Sequence, residues 1–147
     1  MDDPADPFCR KEIMENAFYT TQLTMAVYDI APVLPGHSLI IPRRHVADAT
    51  ALTKEEILDI FYTLKKIAPV ISKIYRSDSY DLTMQVGRHS GMSVPHLHMH
   101  YIPRGKDDAY QGSNDTVYDM IEHSKKISRD ELKSNVERLR KELEWRD

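Results

Sequence analysis

Four short segments of the chain have the patterns of strands, three with apolar and polar residues in alternation and one with a short apolar run. These segments are 23–30 (LTMAVYDI), 37–42 (HSLIIP), 80–87 (YDLTMQVG) and 95–103 (PHLHMHYIP). In the first, three apolar residues share a face with Asp29, so that a carboxylate ends an apolar row. Two prolines and a glycine separate the first two segments, which predicts an antiparallel hairpin with His37 near its turn.

Apolar residues at three- and four-residue spacing predict two main helices. The first begins at a capping box formed by Thr53 and Glu56, and Pro69 is expected to bend or end it. The second begins at Ser128 and is predicted over 128–146. The order strand, strand, helix, strand, strand predicts an α+β fold around an antiparallel sheet.

Two segments carry no such pattern. Residues 1–15 are predicted as an irregular N-terminal arm, with room for a short helix in RKEIMENAF. Residues 104–127 are polar and contain two glycines, which predicts a loop or lid of the kind that often covers a site. With 147 residues, the chain is predicted as a single domain over 1–147.

Composition narrows the function classes. The hydrophobic fraction of 41% and the charged fraction of 29% are ordinary for a folded protein. A formal net charge of -3 argues against a non-specific nucleic-acid partner. One cysteine, Cys9, permits no internal disulfide and suits a reducing compartment. No signal-like or membrane-spanning apolar run is visible, so we expect no membrane partner and a cytoplasmic, or alternatively nuclear, location.

The segment VPHLHMHYIPR places His96, His98 and His100 at every second position. On a regular strand their side chains would share one face, with the outer two backbones about 13 Å apart. Zinc binds imidazole nitrogens at about 2.0–2.1 Å, so these three alone do not suit one ion. Core packing is the structural alternative, but each buried imidazole would then need its own partner. A chemical role over a phosphate fits better, with the central histidine attacking phosphorus and its neighbours fixing its tautomer.

The segment HLHMHYIPR resembles the histidine triad motif of nucleotide hydrolases and transferases, in which histidines alternate with hydrophobic residues. VLPGHSLIIPRRHV and MQVGRHSGMSVPH also resemble segments of this family, and together the likeness covers most of 18–104. The resemblance implies the HIT fold, an antiparallel five-stranded sheet with two main helices. It also implies a homodimer with a continuous ten-stranded sheet.

The resemblance also implies roles for individual residues. His98 would be the nucleophile that forms a nucleotidyl-histidine on the α-phosphate of an adenosine or other purine nucleotide. His96 would orient it through the backbone and neighbouring rings, and His100 would contact the scissile phosphate and the leaving oxygen. His37 would complete the histidine cluster. Asp29 would bind the ribose hydroxyls, the alternative being a solvated strand end.

Four further positions follow from the same likeness. Val27 and Leu23 would line the base pocket, although core packing explains them equally well. Gln85 would contact a phosphate and Ser93 a bridging or leaving-group oxygen. Without the resemblance, an exposed Gln and a turn-capping Ser are the simpler interpretations.

Two branches of the family compete. Gln85, the IPR after the triad and NDTVYDMI resemble the fragile histidine triad branch, whose members cleave diadenosine triphosphate into AMP and ADP. Asp29 and Ser93 are closer to the nucleoside phosphoramidases. The long segment after the triad favours the first branch. Met92 stands where both branches commonly have Gln, which keeps open a non-catalytic nucleotide-binding or signalling protein. Transfer to an acceptor other than water would use the same intermediate.

The resemblance has two implications for metal binding. The covalent step requires no cofactor, although a divalent metal can accompany the substrate. Some family members open with CxxC and hold zinc with two thiolates and two histidines. The corresponding residues here are Asp6, Cys9, His45 and His96. Oxygen, sulfur and imidazole nitrogen are all zinc ligands, so a structural zinc is chemically permissible.

Overall fold

The computed structural model describes residues 5–145, which form a five-stranded antiparallel sheet in the order β1-β2-β3-β5-β4. The strands are β1 (Ala17–Thr20), β2 (Thr24–Tyr28), β3 (Ser38–Pro42), β4 (Ser79–Met84) and β5 (Met99–Arg104). The α-helices are α1 (Lys54–Tyr75), α2 (Val117–Glu122) and α3 (Arg129–Leu143). Short 3-10 helices occupy Lys11–Glu15, Ala49–Ala51 and Arg88–Ser90. The α+β class, the antiparallel sheet and the two main helices are therefore confirmed. Within 5–145, no helix is long and apolar enough to cross a membrane.

The alternation pattern missed the edge strand β1. Its four residues, AFYT, are too few to show a period, and they follow the 3-10 helix Lys11–Glu15 almost directly. The segment predicted as a loop over 104–127 contains the short helix α2. Ser128 caps α3, as predicted, through a hydrogen bond from the backbone N–H of Glu131. Residues 1–4 of the predicted arm and residue 146 of the predicted helix lie outside the described residues.

The histidine segment is less regular than predicted. Strand β5 begins at Met99, so that only His100 of the three alternating histidines belongs to it. The chain bends at residues 94–96 and is not paired in the sheet there, and Leu97 donates its backbone N–H to the carbonyl of Val46. The prediction of one strand over 95–103 was therefore wrong at its start. Because the segment leaves the sheet, the rings of His96 and His98 reach partners that a flat strand would not offer.

Helix α1 begins as its capping box predicts. The Thr53 hydroxyl accepts from the N–H of Glu56, and the Glu56 carboxylate accepts from the N–H of Thr53. Pro69 was expected to bend or end the helix; it lies inside α1, which continues to Tyr75, so it does not end it. The buried stripe of the helix holds it against the sheet despite the missing N–H of Pro69. The residues of this stripe include Ile60, Leu64, Ile67 and Ile71.

The two faces of the sheet have different partners. One face packs against α1 and α3 and includes Tyr28, Met99 and Tyr101. The other carries Val27 and Leu39 in a smaller apolar cluster, covered in part by the N-terminal segment. Leu39 is paired across the sheet with both Val27 and His100. Directly paired residues point to the same face, so the sheet register places His100 on the face that the helices leave open.

Candidate active site

A cavity of about 650 Å³ opens on this second face of the sheet. Of the predicted site residues, it brings together Val27, Asp29, Gln85, Ser93, His98 and His100. His37 and His96 are fully buried next to it. Apolar and polar groups thus share one concave site, as in most small-molecule sites.

The ring of His98 is held in one tautomer. Its Nδ1 lies 2.8 Å from the backbone carbonyl of His96, which can only accept, so Nδ1 carries the proton. Burial lowers the pKa of His98 from its ordinary value, which keeps the ring neutral. The lone pair is therefore on Nε2. Phe8 contacts the same ring edge to face, with centroids 5.1 Å apart, and restricts its tilt.

The tautomer of His100 is determined by a chain of three groups. The backbone N–H of Val33 donates to Nδ1 of His37 at 2.9 Å, so that the remaining proton of His37 is on Nε2. This Nε2 lies 2.9 Å from Nδ1 of His100, which must accept. Burial lowers the pKa of His37 to about 3 and also lowers that of His100. His100 therefore presents an Nε2–H donor on the side of its ring away from His37.

Asp29 lies just beyond the end of β2, at the rim of the histidine cluster. Its Oδ1 accepts from the backbone N–H of Ala31 at 2.8 Å. Its Oδ2 is 3.4 Å from Nε2 of His37 and 4.0 Å from Nδ1 of His100. Burial raises the pKa of the carboxyl, although the Ala31 N–H and His100 act in the opposite direction. The carboxyl lines the cavity and can accept hydrogen bonds from hydroxyl groups of a ligand.

Of the remaining predicted residues, some line the cavity and others do not. Gln85 donates its side-chain N–H to the carbonyl of Ser90 at 2.9 Å, and both Gln85 and Ser93 line the cavity. Leu23 does not: it is 37% exposed and precedes β2 in the turn after β1, so its role in a base pocket stays a prediction. Strand β2 begins only at Thr24, and the apolar row therefore stops before Leu23. Met92 is half-buried and is not among the cavity-lining residues.

Sequence reasoning missed several cavity residues. Phe8 and Ile13 come from the N-terminal segment, and Ile121 and Ser124 come from α2 and the residues after it. An available signal for α2 was the capping box of Thr116 and Asp119, which the structure shows in both directions. No comparable local signal existed for the N-terminal segment, because its position depends on contacts with distant residues.

A second cluster lies behind the cavity. It consists of Asp6, Cys9, His45 and His96, whose ligand atoms all lie within 4.8 Å of one another. Oδ2 of Asp6 is 3.2 Å from Sγ of Cys9 and 2.7 Å from Nδ1 of His45, and it also contacts Nδ1 of His96. The four residues named from the resemblance therefore meet at one point.

The chemistry of this cluster suits a metal ion. Nε2 of His96 lies 2.7 Å from the carbonyl of Pro42 and must donate to it. Nδ1 of the same buried ring faces the carboxylate of Asp6. A neutral imidazole carries one proton, so the second contact requires either an additional proton or a metal ion. One oxygen, one sulfur and two nitrogen donors form an acceptable tetrahedral set for zinc.

Burial would raise the pKa of Asp6, but hydrogen bonds from the Phe8 backbone and from the rings of His45 and His96 lower it overall. The carboxylate is thus available as a ligand. A zinc ion held by these four residues would supply a structural cross-link between the N-terminal segment and the histidine segment. His96 belongs to this cluster, and its backbone carbonyl accepts a hydrogen bond from the ring of His98. The cluster is therefore in direct contact with the histidine that lines the cavity.

Three comparisons with known proteins agree with this geometry. The sequence profile of the HIT domain matches residues 10–107. A bis(5'-adenosyl)-triphosphatase of Dictyostelium discoideum is 36% identical over 124 residues, which are 84% of this chain and 82% of the relative. A bis(5'-nucleosyl)-tetraphosphatase (asymmetrical) of Schizosaccharomyces pombe is 37% identical over 115 residues, and the match spans 78% of this chain but only 62% of that protein.

Among solved structures, a Hit-like protein involved in cell-cycle regulation from Bartonella henselae superposes with a TM-score of 0.75 at 23% identity. The superposition covers 96% of this chain and 98% of the other. At this identity the likeness concerns the fold, including the five-stranded sheet that carries the cavity.

Proposed function

This chain belongs to the HIT domain family, and from that premise we propose that it hydrolyses dinucleoside polyphosphates at the α-phosphate through a nucleotidyl intermediate on His98. The observation that carries the proposal is the state of the His98 ring. It is neutral, its Nδ1 proton is engaged by a carbonyl, and it lines the cavity with a lone pair on Nε2. The names of the two relatives describe hydrolases of dinucleoside polyphosphates.

The reaction would proceed in two displacements at one phosphorus. Nε2 of His98 attacks the α-phosphorus, and the bond from this phosphorus to the bridging oxygen breaks, with the electron pair leaving on that oxygen. The Nε2–H of His100 and the hydroxyl of Ser93 would donate to phosphate and leaving-group oxygens. Water then attacks the same phosphorus and breaks the bond to nitrogen, which releases a nucleoside monophosphate. Diadenosine triphosphate would thus yield ADP first and AMP second.

The cavity also contains groups suited to the rest of a nucleotide. Asp29 can accept hydrogen bonds from two ribose hydroxyls, and Gln85 would contact a phosphate. Phe8, Val27 and Leu39 form an apolar surface against which a purine base can pack. The covalent step needs no cofactor from the protein, and a divalent cation would arrive with the polyphosphate of the substrate.

A phosphoramidase is the second candidate, because Asp29 and Ser93 are closer to that branch. The same histidine intermediate would form, with an amine instead of a nucleotide as the leaving group. The two activities differ in the space required on the leaving-group side of the α-phosphate. The segment that follows the triad here contributes Ile121 and Ser124 to the cavity, which favours a substrate with a second nucleotide.

The test is to offer diadenosine triphosphate, diadenosine tetraphosphate and an adenosine phosphoramidate in parallel and to separate the products. We expect preferential formation of AMP and ADP from the triphosphate. His98→Asn should lower kcat by about 10⁴-fold or more, the scale seen when a covalent nucleophile is removed. His123→Asn is the matched control, since this exposed histidine follows α2 outside the cavity lining.

Each other outcome has a definite meaning. Full turnover by His98→Asn would refute the covalent mechanism. Preferential cleavage of the phosphoramidate would assign the chain to the second branch. Tight nucleotide binding without turnover of any substrate would instead support a binding or signalling protein.

We also propose that two copies of the chain pair through strand β4. Among the described residues, β4 pairs only with β5, so its other edge is open. Tyr80 and Leu82 on this strand are 47% and 37% exposed. The outer face of α1 adds Leu58, Phe61 and Tyr62, each more than half exposed. An open strand edge with exposed apolar side chains is the surface expected to be covered by another strand, and a second β4 would complete a ten-stranded sheet.

A further inference from the structure

A tyrosine ring lies directly on a glycine of the loop that leads to the triad. Gly91 has φ +95°, a backbone conformation that residues with a side chain rarely adopt. A Cβ built at this position would lie 2.3 Å from Cε1 and 3.0 Å from Cδ1 of the Tyr118 ring. The ring therefore occupies the space that any other residue at 91 would need, and the contact is between ring and backbone.

This loop presents two of the polar cavity residues. Gln85 precedes it and donates to the carbonyl of Ser90, and its Nε2 would lie 2.8 Å from the same Cβ position on Gly91. Ser93 follows two residues later. Within the loop, Ser90 hydrogen-bonds only to Gly87 and Gln85 among the contacts described. The loop is short of other buried anchors, so a ring packed on its backbone is a substantial part of what holds it.

The ring itself is carried by a firmly placed helix. Met120 of α2 is buried against Val33 and Ile102, and the capping box closes the first turn of the helix. The ring thus connects a packed helix to a loop that has few packing contacts of its own.

We propose that Tyr118 is a positioning residue, which holds the loop from Gln85 to Ser93 against the cavity by packing its ring on the backbone of Gly91. Its kinetic consequence rests on the proposed function, because Gln85 and Ser93 act on the phosphate chain and the leaving group in that reaction. The effect is assigned to the ring, since the Tyr118 atoms nearest to the Cβ position of Gly91 are ring carbons.

The first measurement is backbone amide hydrogen exchange of residues 85–94 in the whole protein without nucleotide. We expect faster exchange in Tyr118→Ala and unchanged exchange in Tyr118→Phe, which keeps the ring. In turnover, Tyr118→Ala should lower kcat/KM about tenfold or more, because small displacements of positioning groups have large effects on rate. The loss should shrink for a p-nitrophenyl ester of AMP, whose leaving group needs little help from Ser93.

The second measurement uses two glycines that both have positive φ but differ in ψ and in their surroundings. Gly91→Ala adds a methyl group where the ring lies, whereas Gly87, with φ +85°, has no atom within 4 Å of its Cβ position. Removing the ring by Tyr118→Ala should therefore recover part of the loss caused by Gly91→Ala and none of the loss caused by Gly87→Ala. The melting temperature of each variant separates this coupling from loss of the fold.

The positioning role of Tyr118 would be refuted if Tyr118→Ala left amide exchange over 85–94 at the wild-type rate. It would also be refuted if both glycine variants responded alike to removal of the ring. Failure of the proposed function looks different. The wild-type protein would then turn over no dinucleotide, while the exchange measurement would still decide whether the ring orders the loop.

Discussion

His37 is a buried side chain that sets the proton position on a residue facing the cavity. Its two ring nitrogens are engaged by the Val33 N–H and by His100, which leaves one arrangement of protons for the pair. Burial keeps both rings neutral. The position of the proton on His100 thus depends on a backbone N–H on the far side of His37.

We predict that His37→Ala lowers kcat by about 10²-fold, the lower end of what a positioned proton donor contributes. The reason is that His100 loses the partner that directs its proton to Nε2. His37→Gln should recover part of the rate, because its amide can accept from Val33 and donate to His100. Steady-state kinetics on diadenosine triphosphate tests this, with KM expected to change less than kcat. An alanine variant with wild-type kcat would contradict the role.

The same burial makes stability depend on pH. The pKa of His37 is lowered from 6.5 to about 3, and those of His98 and His100 are lowered as well. Below pH 6.5 the unfolded chain binds protons at these positions while the folded chain does not. The free energy of unfolding should therefore fall as pH decreases below 6.5. For His37 the fall continues toward pH 3, by up to about 1.4 kcal/mol per pH unit. The raised pKa of Asp29 offsets part of this fall.

Urea unfolding at pH 7 and pH 5 measures the effect. We expect a lower free energy of unfolding at pH 5, and a smaller difference between the two pH values in His37→Gln, which has one buried histidine fewer. An identical difference in the variant and the wild type would show that His37 does not contribute.

At the scale of elements, the N-terminal segment and α2 complete a site that the sheet alone leaves open. The segment brings Phe8 and Ile13 over the strands, and α2 adds Ile121. The segment is attached through the cluster of Asp6, Cys9, His45 and His96. Whatever strengthens this cluster therefore also stabilises one wall of the cavity.

We predict that tag-free protein purified without chelator contains about one zinc per chain. The reason is that the four residues of the cluster offer ligand atoms within 4.8 Å of one another. Removal of the metal should lower the melting temperature, because a ligand that binds only the folded state stabilises it. Elemental analysis and thermal unfolding test this. Cys9→Ala should lose the metal, whereas His89→Ala, at an exposed histidine outside the cluster, should keep it. Substoichiometric zinc in the wild type would contradict the prediction.

For the whole molecule, the open edge of β4 is the feature that bears on assembly. Strand β4 lies at the opposite end of the sheet from β1, and β1 packs against α3. The two edges therefore differ in protection, and only β4 combines an open edge with exposed Tyr80 and Leu82.

We predict that the protein sediments as a dimer and that Leu82→Lys shifts it to the monomer, because a charge on an edge strand opposes pairing. Analytical ultracentrifugation over a range of concentrations measures this. Ser134→Lys, at an exposed position of α3, adds the same single charge away from the β4 edge and should remain dimeric. A wild-type monomer at all concentrations would contradict the pairing.

Local patterns in the sequence were sufficient for much of the fold. Alternation located β2, and the apolar run SLIIP after the turn residues located β3. The capping box of Thr53 and Glu56 located the start of α1, and Ser128 located the start of α3. The strand β1 was missed because four residues show no period, and the helix start of α2 was missed although Thr116 and Asp119 signal it. Pro69 was expected to bend or end α1, but the helix continues past it because tertiary packing outweighs the local cost of proline.

By itself, then, the sequence determined the α+β class, the hairpin that places His37 and the identity of the triad, because each depends on residues close together in the chain. Only the tertiary structure decided that His37 contacts His100, that Asp6 meets His96, that Tyr118 covers Gly91 and that Leu23 stays outside the cavity. These contacts join residues far apart in sequence. They follow from the sheet register and from the path of the N-terminal segment, both of which depend on burial summed over the whole molecule.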